Sequence, residues 1–149
     1  MASPTPPAAS VRPLVATDSA AAARLCIQLG YPATEPEMRD RIAALLPEAG
    51  RLLLAAERDG QLVGWIDAAI ERHLHTAPYI IIGGLVVDES CRGLGLGRLL
   101  CAHVERWGQQ HAIPSVRVRS QAKRLEAHRF YLHQGYSQIK TSFIFEKRL

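Results

Sequence analysis

The spacing of apolar residues changes repeatedly along the chain between a helical and a strand-like pattern. Apolar residues recur every three or four positions in four segments, which predicts helices at residues 18–29, 34–46, 97–111 and 123–134. Apolar runs or alternating residues predict strands at 11–16, 52–57, 62–72, 79–87, 115–120 and 136–147. The predicted order is β-α-α-β-β-β-α-β-α-β(β), an α/β (α+β) fold in which helices flank a mixed sheet.

Short polar motifs mark the ends of the first two helices. Asp18 is a good N-cap for the first helix, and Gly30 is well suited to end it. Thr34 and Glu37 have the spacing of a capping box at the start of the second helix. Both helices are therefore expected to precede the main part of the sheet.

Glycine pairs and polar residues punctuate the strands that follow. Asp59-Gly60 lies between two apolar runs and predicts a β-hairpin. Residues 73–78 are predicted to form a loop. Gly83-Gly84 interrupts the next apolar run, which indicates either a bulge that splays this strand from its neighbour or a weak point in a buried strand.

Length and composition are those of an ordinary globular protein. The 149 residues, 48% hydrophobic and 21% charged, predict one domain at residues 11–149 after a disordered tail at residues 1–10. No apolar run reaches the roughly 18 residues of a membrane helix, and the Pro- and Ala-rich start is unlike a signal peptide. We therefore expect a cytoplasmic protein without a membrane partner.

Charge and cysteine content add little that is specific. The formal charge of +4 comes from arginines spread along the chain, which argues against nucleic acid as a partner and suits a polyanionic cofactor. Cys26, Cys91 and Cys101 do not make an even disulfide set. His73 and His75 lack a third ligand at metal-binding spacing, so no metal site is predicted.

The segment after the fourth predicted strand carries the clearest chemical signal. Gly93, Gly95 and Gly97 alternate in a loop that leads directly into a helix, and Arg92 and Arg98 flank them. Amides at a helix N-terminus lack intrahelical partners and lie at the positive end of the helix dipole. Glycines allow close approach of a ligand, so the segment predicts a pyrophosphate site.

Two common phosphate loops do not match this segment. The P-loop requires a Lys-Ser/Thr pair that is absent, and the dinucleotide fingerprint requires a later acidic residue where this chain has Arg117 and Arg119. Arg92-x-x-Gly95-x-Gly97, placed directly after a strand, instead resembles the acetyl-CoA pyrophosphate loop of the GNAT superfamily of N-acetyltransferases.

A second motif near the C-terminus supports the same resemblance. It is similar to the family's A-x-x-[FL]-Y-x-x-x-G-[FY] helix, and here it reads Arg124-x-x-Ala127-His128-Arg129-Phe130-Tyr131-x-x-x-Gly135-Tyr136. The resemblance extends from about residue 11 to the end of the chain. It implies a mixed, mostly antiparallel GNAT-type sheet and acetylation of a primary amine by acetyl-CoA, with no metal.

The resemblance also assigns the cofactor-binding residues. It implies that the backbone of the fourth strand pairs with the pantetheine arm and that the loop amides hold the pyrophosphate. These residues are Leu85, Val86, Val87, Arg92, Gly93, Leu94, Gly95, Leu96, Gly97 and Arg98, with Arg124 and Ala127 on the last helix. Many relatives have Asn where this chain has Arg124, so a phosphate contact and a solvent-facing role both stay open there. Many relatives also form homodimers.

Tyr131 matches the family's general acid, which protonates the departing thiolate. A phenol can donate to sulfur as negative charge develops, and the reaction implied is direct attack in a ternary complex. The amine must also lose a proton, because an alkylamine is protonated near neutral pH. The candidates for that base are Asp67, Glu71, His73, His75, Glu35 and Glu37.

Other functions fit parts of the pattern. The main alternative is a non-catalytic acyl-CoA-binding regulatory domain that has kept the glycine loop and lost turnover. A covalent intermediate on Cys91 is a less favoured mechanism, because no histidine lies near this residue in sequence.

Overall fold

The fold is described for residues 9–149 of a computed structural model. The strands of this part are β1 (Ser10–Pro13), β2 (Arg51–Arg58), β3 (Gln61–His73), β4 (Thr76–Val87) and β5 (Val116–Val118). Its helices are α1 (Ser19–Leu29), α2 (Glu35–Leu45), α3 (Leu96–Gln110) and α4 (Leu125–His133). Residues 1–8 of the predicted tail lie outside this range, and Ser10 begins β1.

The strands form one sheet in the order β1-β2-β3-β4-β5. The first four pair antiparallel with their neighbours, and β5 pairs parallel to β4. A parallel pair requires a long crossover connection, which α3 supplies. The predicted mixed, mostly antiparallel sheet is confirmed.

Helices pack on the sheet through alternate strand residues. Leu53 and Ala55 of β2 join the buried side chains of α1 and α2 in one apolar cluster. On β4, Ile80 contacts α3 so closely that a Cβ added at Gly108 would lie 2.8 Å from the Ile80 Cδ1 atom. Since successive residues of a strand point to opposite faces, both faces of the sheet contribute to the core.

Three of the four predicted turn and cap motifs form as expected, and the fourth does not. The Thr34–Glu37 capping box is present, with the Glu37 carboxylate accepting from the Thr34 amide at 2.9 Å. Gly30 ends α1 in the left-handed region, and Asp59-Gly60 forms the predicted hairpin turn with positive φ at both residues. Asp18 occupies the N-cap position of α1, but its side chain does not cap that helix.

The Asp18 carboxylate has other partners. It accepts two 2.8 Å hydrogen bonds from the Arg12 guanidinium and one of 2.9 Å from the Val15 amide. The hydrogen bonds from Arg12 lower the pKa of Asp18. Instead of capping α1, Asp18 therefore forms an ion pair that links β1 to the start of α1.

Two predicted segments are wrong. The loop expected at residues 73–78 is mostly strand, because β3 and β4 continue to a two-residue turn at Leu74–His75. Pro78 is tolerated there because the pairing of β5 begins only at Ile80. No strand forms at residues 136–147 within the described chain, and Phe145 there is 92% exposed. Apolar residues favour a strand, but a strand also requires a partner.

By internal contacts the chain divides into two compact units, one ending at Arg119 and the other formed by Ser120–Leu149. The first contains the sheet, and the second contains α4, which ends at His133 and is followed at Gly135 by a φ of 88°. Within residues 9–149, none of the helices combines the length and apolar character needed to cross a bilayer.

Candidate functional site

A β-bulge interrupts the pairing of β4 with β3. Asp67 of β3 is opposite Gly84, whereas the next residue, Ala68, is opposite Ile82, so Gly83 is an extra residue in β4. Of the two alternatives for Gly83-Gly84, a bulge or a weak point in a buried strand, the structure shows the bulge. The pairing of β5 with β4 covers only Ile80 to Ile82, and β4 changes from buried to exposed at Gly83. The second half of β4 therefore lies beyond its last pair with β5.

An indole ring occupies one side of this bulge. A Cβ added at Gly84 would lie 2.9 Å from the Trp65 Cζ3 atom, closer than such atoms approach in real structures. The Trp65 Nε1 group donates to the Ala22 carbonyl at 3.3 Å, which ties the ring to α1. The Trp65 ring therefore packs too closely for a side chain at position 84, so this position requires glycine.

The predicted pantetheine-binding residues lie immediately after the bulge. Leu85, Val86 and Val87 pair with Ile66, Trp65 and Gly64 of β3. In a strand, backbone groups point alternately to its two neighbours, so part of this backbone is directed away from β3. That direction suits hydrogen bonds to an extended ligand arm.

The glycine loop is anchored at both ends and exposed between them. Cys91 and Leu96 are buried against Val63 and Val87, whereas residues 92–95 are all exposed. The Glu89 amide donates to the Gln28 side chain of α1 at 3.0 Å, which fixes the start of the loop. The two ends of the loop are therefore fixed, while residues 92–95 between them stay exposed to solvent.

The first turn of α3 has the geometry of an anion site. Its N-cap is Gly95, with a φ of 80°, and no side chain caps the helix. By contrast, α2 begins with a full capping box. Gly93 has a φ of 79°, and a Cβ added at either glycine would meet no protein atom within 4 Å. The first amides of α3 therefore face open space at the positive end of the helix dipole.

The cations predicted beside this loop are placed around it. Arg92 and Arg98 are exposed at the start of the loop and in the first turn of α3. Leu94 is 54% exposed, so its contribution to a ligand would come from its backbone or from an apolar contact. Gly97 is the second residue of α3 and is half-buried. These residues fit a pyrophosphate group.

A carboxylate lies at the bulge on the face that carries Trp65. A Cβ added at Gly83 would be 3.6 Å from the Asp67 Oδ2 atom. The other carboxylate oxygen of Asp67 accepts from the Arg51 Nη1 group at 2.8 Å, and Arg51 also binds Glu48. Asp67 is therefore the base candidate that the structure places beside the bulge.

Three other candidates form a network farther along the same face. Glu71 Oε2 lies 2.8 Å from His73 Nε2 and accepts from the Tyr79 hydroxyl at 3.1 Å. The hydrogen bond from His73 is the largest contribution that lowers the pKa of Glu71. The His75 ring lies 5.5 Å from that of His73. Glu71 is four residues from Asp67, or roughly 13 Å along a strand.

The two glutamates of α2 have structural partners. Glu37 belongs to the capping box, and its pKa is lowered by the backbone hydrogen bond from Thr34. Glu35 pairs with Arg39 at 2.9 Å on the helix surface. Cys91 is buried, with its sulfur 3.7 Å from the Ser90 hydroxyl. The contacts given for these three groups are all with residues outside the bulge.

The second unit holds the remaining predicted residues on α4. Tyr131 is half-buried, and its ring makes edge contacts with Phe130 and Tyr136 at 5.1 and 5.7 Å between centroids. Arg124 is exposed at the N-cap position. Arg124 and Ala127 line a cavity of about 350 Å³ at the start of this helix. The Arg124 side chain thus borders space that a ligand could fill.

Three residues around the bulge were not identified by the sequence reasoning: Trp65, Arg51 and Arg117. The Arg117 guanidinium carbon lies 4.1 Å above the centroid of the Tyr79 ring. Alternation along β3 could have placed Trp65 on the face of Asp67, but only the pairing register brings Arg51 and Arg117 to that face. Within residues 9–149, no group of three or more His, Cys, Asp or Glu residues could hold a metal ion.

The family and the sequence relatives that this chain matches are acetyltransferases. Residues 20–136 match the model of the Acetyltransferase (GNAT) family. The chain is 38% identical over 112 residues to an aminoalkylphosphonate N-acetyltransferase from Salmonella typhimurium, covering 74% of this chain and 71% of that relative. It is 24% identical over 147 residues, 95% of each chain, to an aminoglycoside N(6')-acetyltransferase type 1 from Stenotrophomonas maltophilia.

A solved structure shows the same fold. An aminoglycoside N-acetyltransferase in complex with CoA superimposes with a TM-score of 0.88. The match covers 99% of this chain and 100% of the other at 19% sequence identity, so the likeness concerns the fold.

Proposed function

Since the chain belongs to the GNAT family of acetyltransferases and is an acetyl-CoA-dependent N-acetyltransferase, we propose that it acetylates a primary amine of a small molecule. The amine attacks directly in a ternary complex, and no covalent enzyme intermediate forms. The observation that carries the proposal is a glycine-capped helix joined to a bulged strand by an exposed glycine loop.

The donor is held by residues of β4, the glycine loop and α3. The backbone of Leu85 to Val87 pairs with the pantetheine arm, and the amides of residues 93–98 receive the pyrophosphate oxygens. Arg92 and Arg98 add charge-assisted hydrogen bonds. Support comes from the exposed loop, from the positive φ of its glycines, and from the lack of a side-chain cap on α3.

The reaction replaces a C–S bond by a C–N bond. Acetyl-CoA supplies the activated acetyl group as a thioester. Tyr131 donates a proton to the leaving sulfur as negative charge develops there. Asp67 binds the incoming amine at the bulge, because its Oδ2 atom lies next to Gly83. The proton released by the amine passes to this carboxylate or to water.

A small-molecule acceptor is favoured by the relatives, which act on aminoalkylphosphonates and aminoglycosides. The proposal includes a cytoplasmic location, where acetyl-CoA is available, and a homodimer as in many members of the family. Arg124 and Ala127 line the cavity at the start of α4, so we include them as cofactor contacts.

The proposal is tested against the alternative of a non-catalytic acyl-CoA-binding domain. Calorimetry measures acetyl-CoA binding, and a thiol-release assay with mass detection of the N-acetyl product measures turnover over a panel of primary amines. We expect binding together with product. Binding without thiol release on any amine of the panel would favour the non-catalytic alternative.

A further inference from the structure

We propose that Arg117, held against Tyr79, forms an anion-binding subsite that selects small amines carrying a phosphonate or carboxylate group. The inference rests on the proposed function, since it concerns the acceptor side of the same site. It assigns a specificity role to a residue of β5 for which the sequence suggested no role.

A network of side chains fixes Arg117 in place. Its guanidinium carbon lies 4.1 Å above the centroid of the Tyr79 ring, and Tyr79 is only 6% exposed. The Tyr79 hydroxyl donates to Glu71, which also binds His73. Stacking occupies the face of a guanidinium and leaves its in-plane N–H groups available, and those groups match phosphonate and carboxylate oxygens.

This network lies on the same face of the sheet as the bulge. Asp67 and Glu71 are four residues apart on β3, so their side chains point to the same side of the sheet. Tyr79 contacts Glu71, and Arg117 contacts Tyr79, which places both on that side. An acceptor whose amine is bound at Asp67 would therefore extend toward Arg117.

The distance between the bulge and Arg117 suits a small acceptor. Arg117 is in register with Ile81 and Ala69, two residues along β3 from Asp67. Two residues give about 7 Å along the strands, and one strand spacing gives about 5 Å across them, so Gly84 and Arg117 lie roughly 9 Å apart at their backbones. An acceptor with two or three carbons between amine and anion suits this separation.

Charge also favours an anion over a second amine. The carboxylates on this face already have partners: Asp67 Oδ1 binds Arg51, which leaves Oδ2 for the acceptor's first amine, and Glu71 binds His73 and Tyr79. Hydrogen bonding to Glu71 stabilises its charge and lowers its pKa. Arg119 lies near enough to Glu71 to contribute to this effect. A second cationic group of the acceptor would have to compete with these partners.

The test compares four amines of similar length on the wild type, Arg117→Ala and the control Arg72→Ala. Arg72 is exposed on β3 next to Glu71, so alternation directs it to the other face. The amines are 2-aminoethylphosphonate, β-alanine, neutral propylamine and dicationic 1,3-diaminopropane. The phosphonate and carboxylate arms distinguish the two anionic groups.

We expect the wild type to prefer one or both anionic amines. Loss of a charge-assisted contact should lower kcat/KM for that amine by roughly 10- to 100-fold in Arg117→Ala and leave propylamine within about twofold. Arg72→Ala should match the wild type on all four. A preference for the diamine, or an equal effect of Arg117→Ala on every amine, would overturn the inference.

A binding measurement separates this inference from the proposed function. Ethylphosphonate lacks an amine and cannot be acetylated, so its binding by calorimetry does not depend on turnover. We expect it to bind the wild type and Arg72→Ala but not Arg117→Ala. Equal binding to all three would refute the subsite even if amines are acetylated, whereas no acetylation of any amine would refute the proposed function alone.

Discussion

Replacing Gly95 by alanine perturbs the proposed pyrophosphate site in two separable ways. The residue has a φ of 80°, and a left-handed conformation destabilises a non-glycine residue by about 1–2 kcal/mol. For a chain of this size, that corresponds to a fall in Tm of roughly 2–8 °C. The new methyl group would also project into space that is free of protein atoms within 4 Å. If the pyrophosphate approaches there, the methyl group displaces it.

Gly60→Ala supplies the matched control. Gly60 has a φ of 74° and the same open space around an added Cβ, but it lies in the turn between β2 and β3. Both variants should therefore lose similar stability. Only Gly95→Ala should weaken CoA binding, by about 10-fold or more if one charge-assisted hydrogen bond is lost.

The assays are thermal unfolding for stability and calorimetry for the Kd of CoA, on both variants at the same temperature, well below either Tm. Equal CoA affinity in Gly95→Ala and Gly60→Ala would refute the assignment of the glycine loop. A loss of affinity in both would mean that general destabilisation, and not displacement of the ligand, explains the effect.

Three further predictions concern the acid, the pH dependence and the core. Tyr131→Phe should lower kcat by about 100-fold or more with an unchanged Kd for CoA, and equal turnover would exclude the acid role. Arg12 lowers the pKa of Asp18, so the stabilisation from this ion pair is complete above the unfolded-state pKa of about 3.9 and is lost as pH falls through the lower folded-state pKa. Urea unfolding should therefore show a weaker loss of stability on acidification in Asp18→Asn than in the wild type. Leu100 is fully buried, so Leu100→Ala should lower the free energy of unfolding by about 2–5 kcal/mol, whereas Leu74→Ala, which is fully exposed, should change it by less than about 0.5 kcal/mol.

Local signals in the sequence predicted the fold well where the interaction is itself local. The capping box of α2 and the Asp59-Gly60 turn involve residues close in sequence, and both formed as expected. Asp18 did not, because Arg12 and the Val15 amide bind its carboxylate. A distant partner is visible only when the chain is folded.

Strand pairing is the part of the fold that sequence could not specify. The apolar residues around Phe145 have the composition of a strand, yet composition does not name a partner. Conversely, a loop is predicted at residues 73–78, yet Pro78 is accommodated in β4, since its position precedes the pairing with β5. Both errors arise because a strand is defined by its neighbours.

The candidate site divides in the same way. The glycine loop could be predicted because its chemistry lies in consecutive residues. The acceptor face could not, because Asp67, Arg51 and Arg117 come from three strands that only the pairing register brings together. The extra residue at Gly83 then sets which side chains of β4 share that face.

The arrangement separates donor and acceptor along β4. The glycine loop follows the end of this strand, whereas Tyr79 and its partners lie near the start, with the bulge between them. We therefore expect substitutions in the loop to change CoA affinity and substitutions near Tyr79 to change the KM of the amine.

A crystal structure of the protein with CoA tests the central claim most directly. The account predicts pyrophosphate oxygens within hydrogen-bonding distance of backbone amides in residues 93–98, and the pantetheine arm paired with the backbone of Leu85 to Val87. A pyrophosphate bound away from the N-terminus of α3, with this loop unchanged and empty of ligand, would contradict the account.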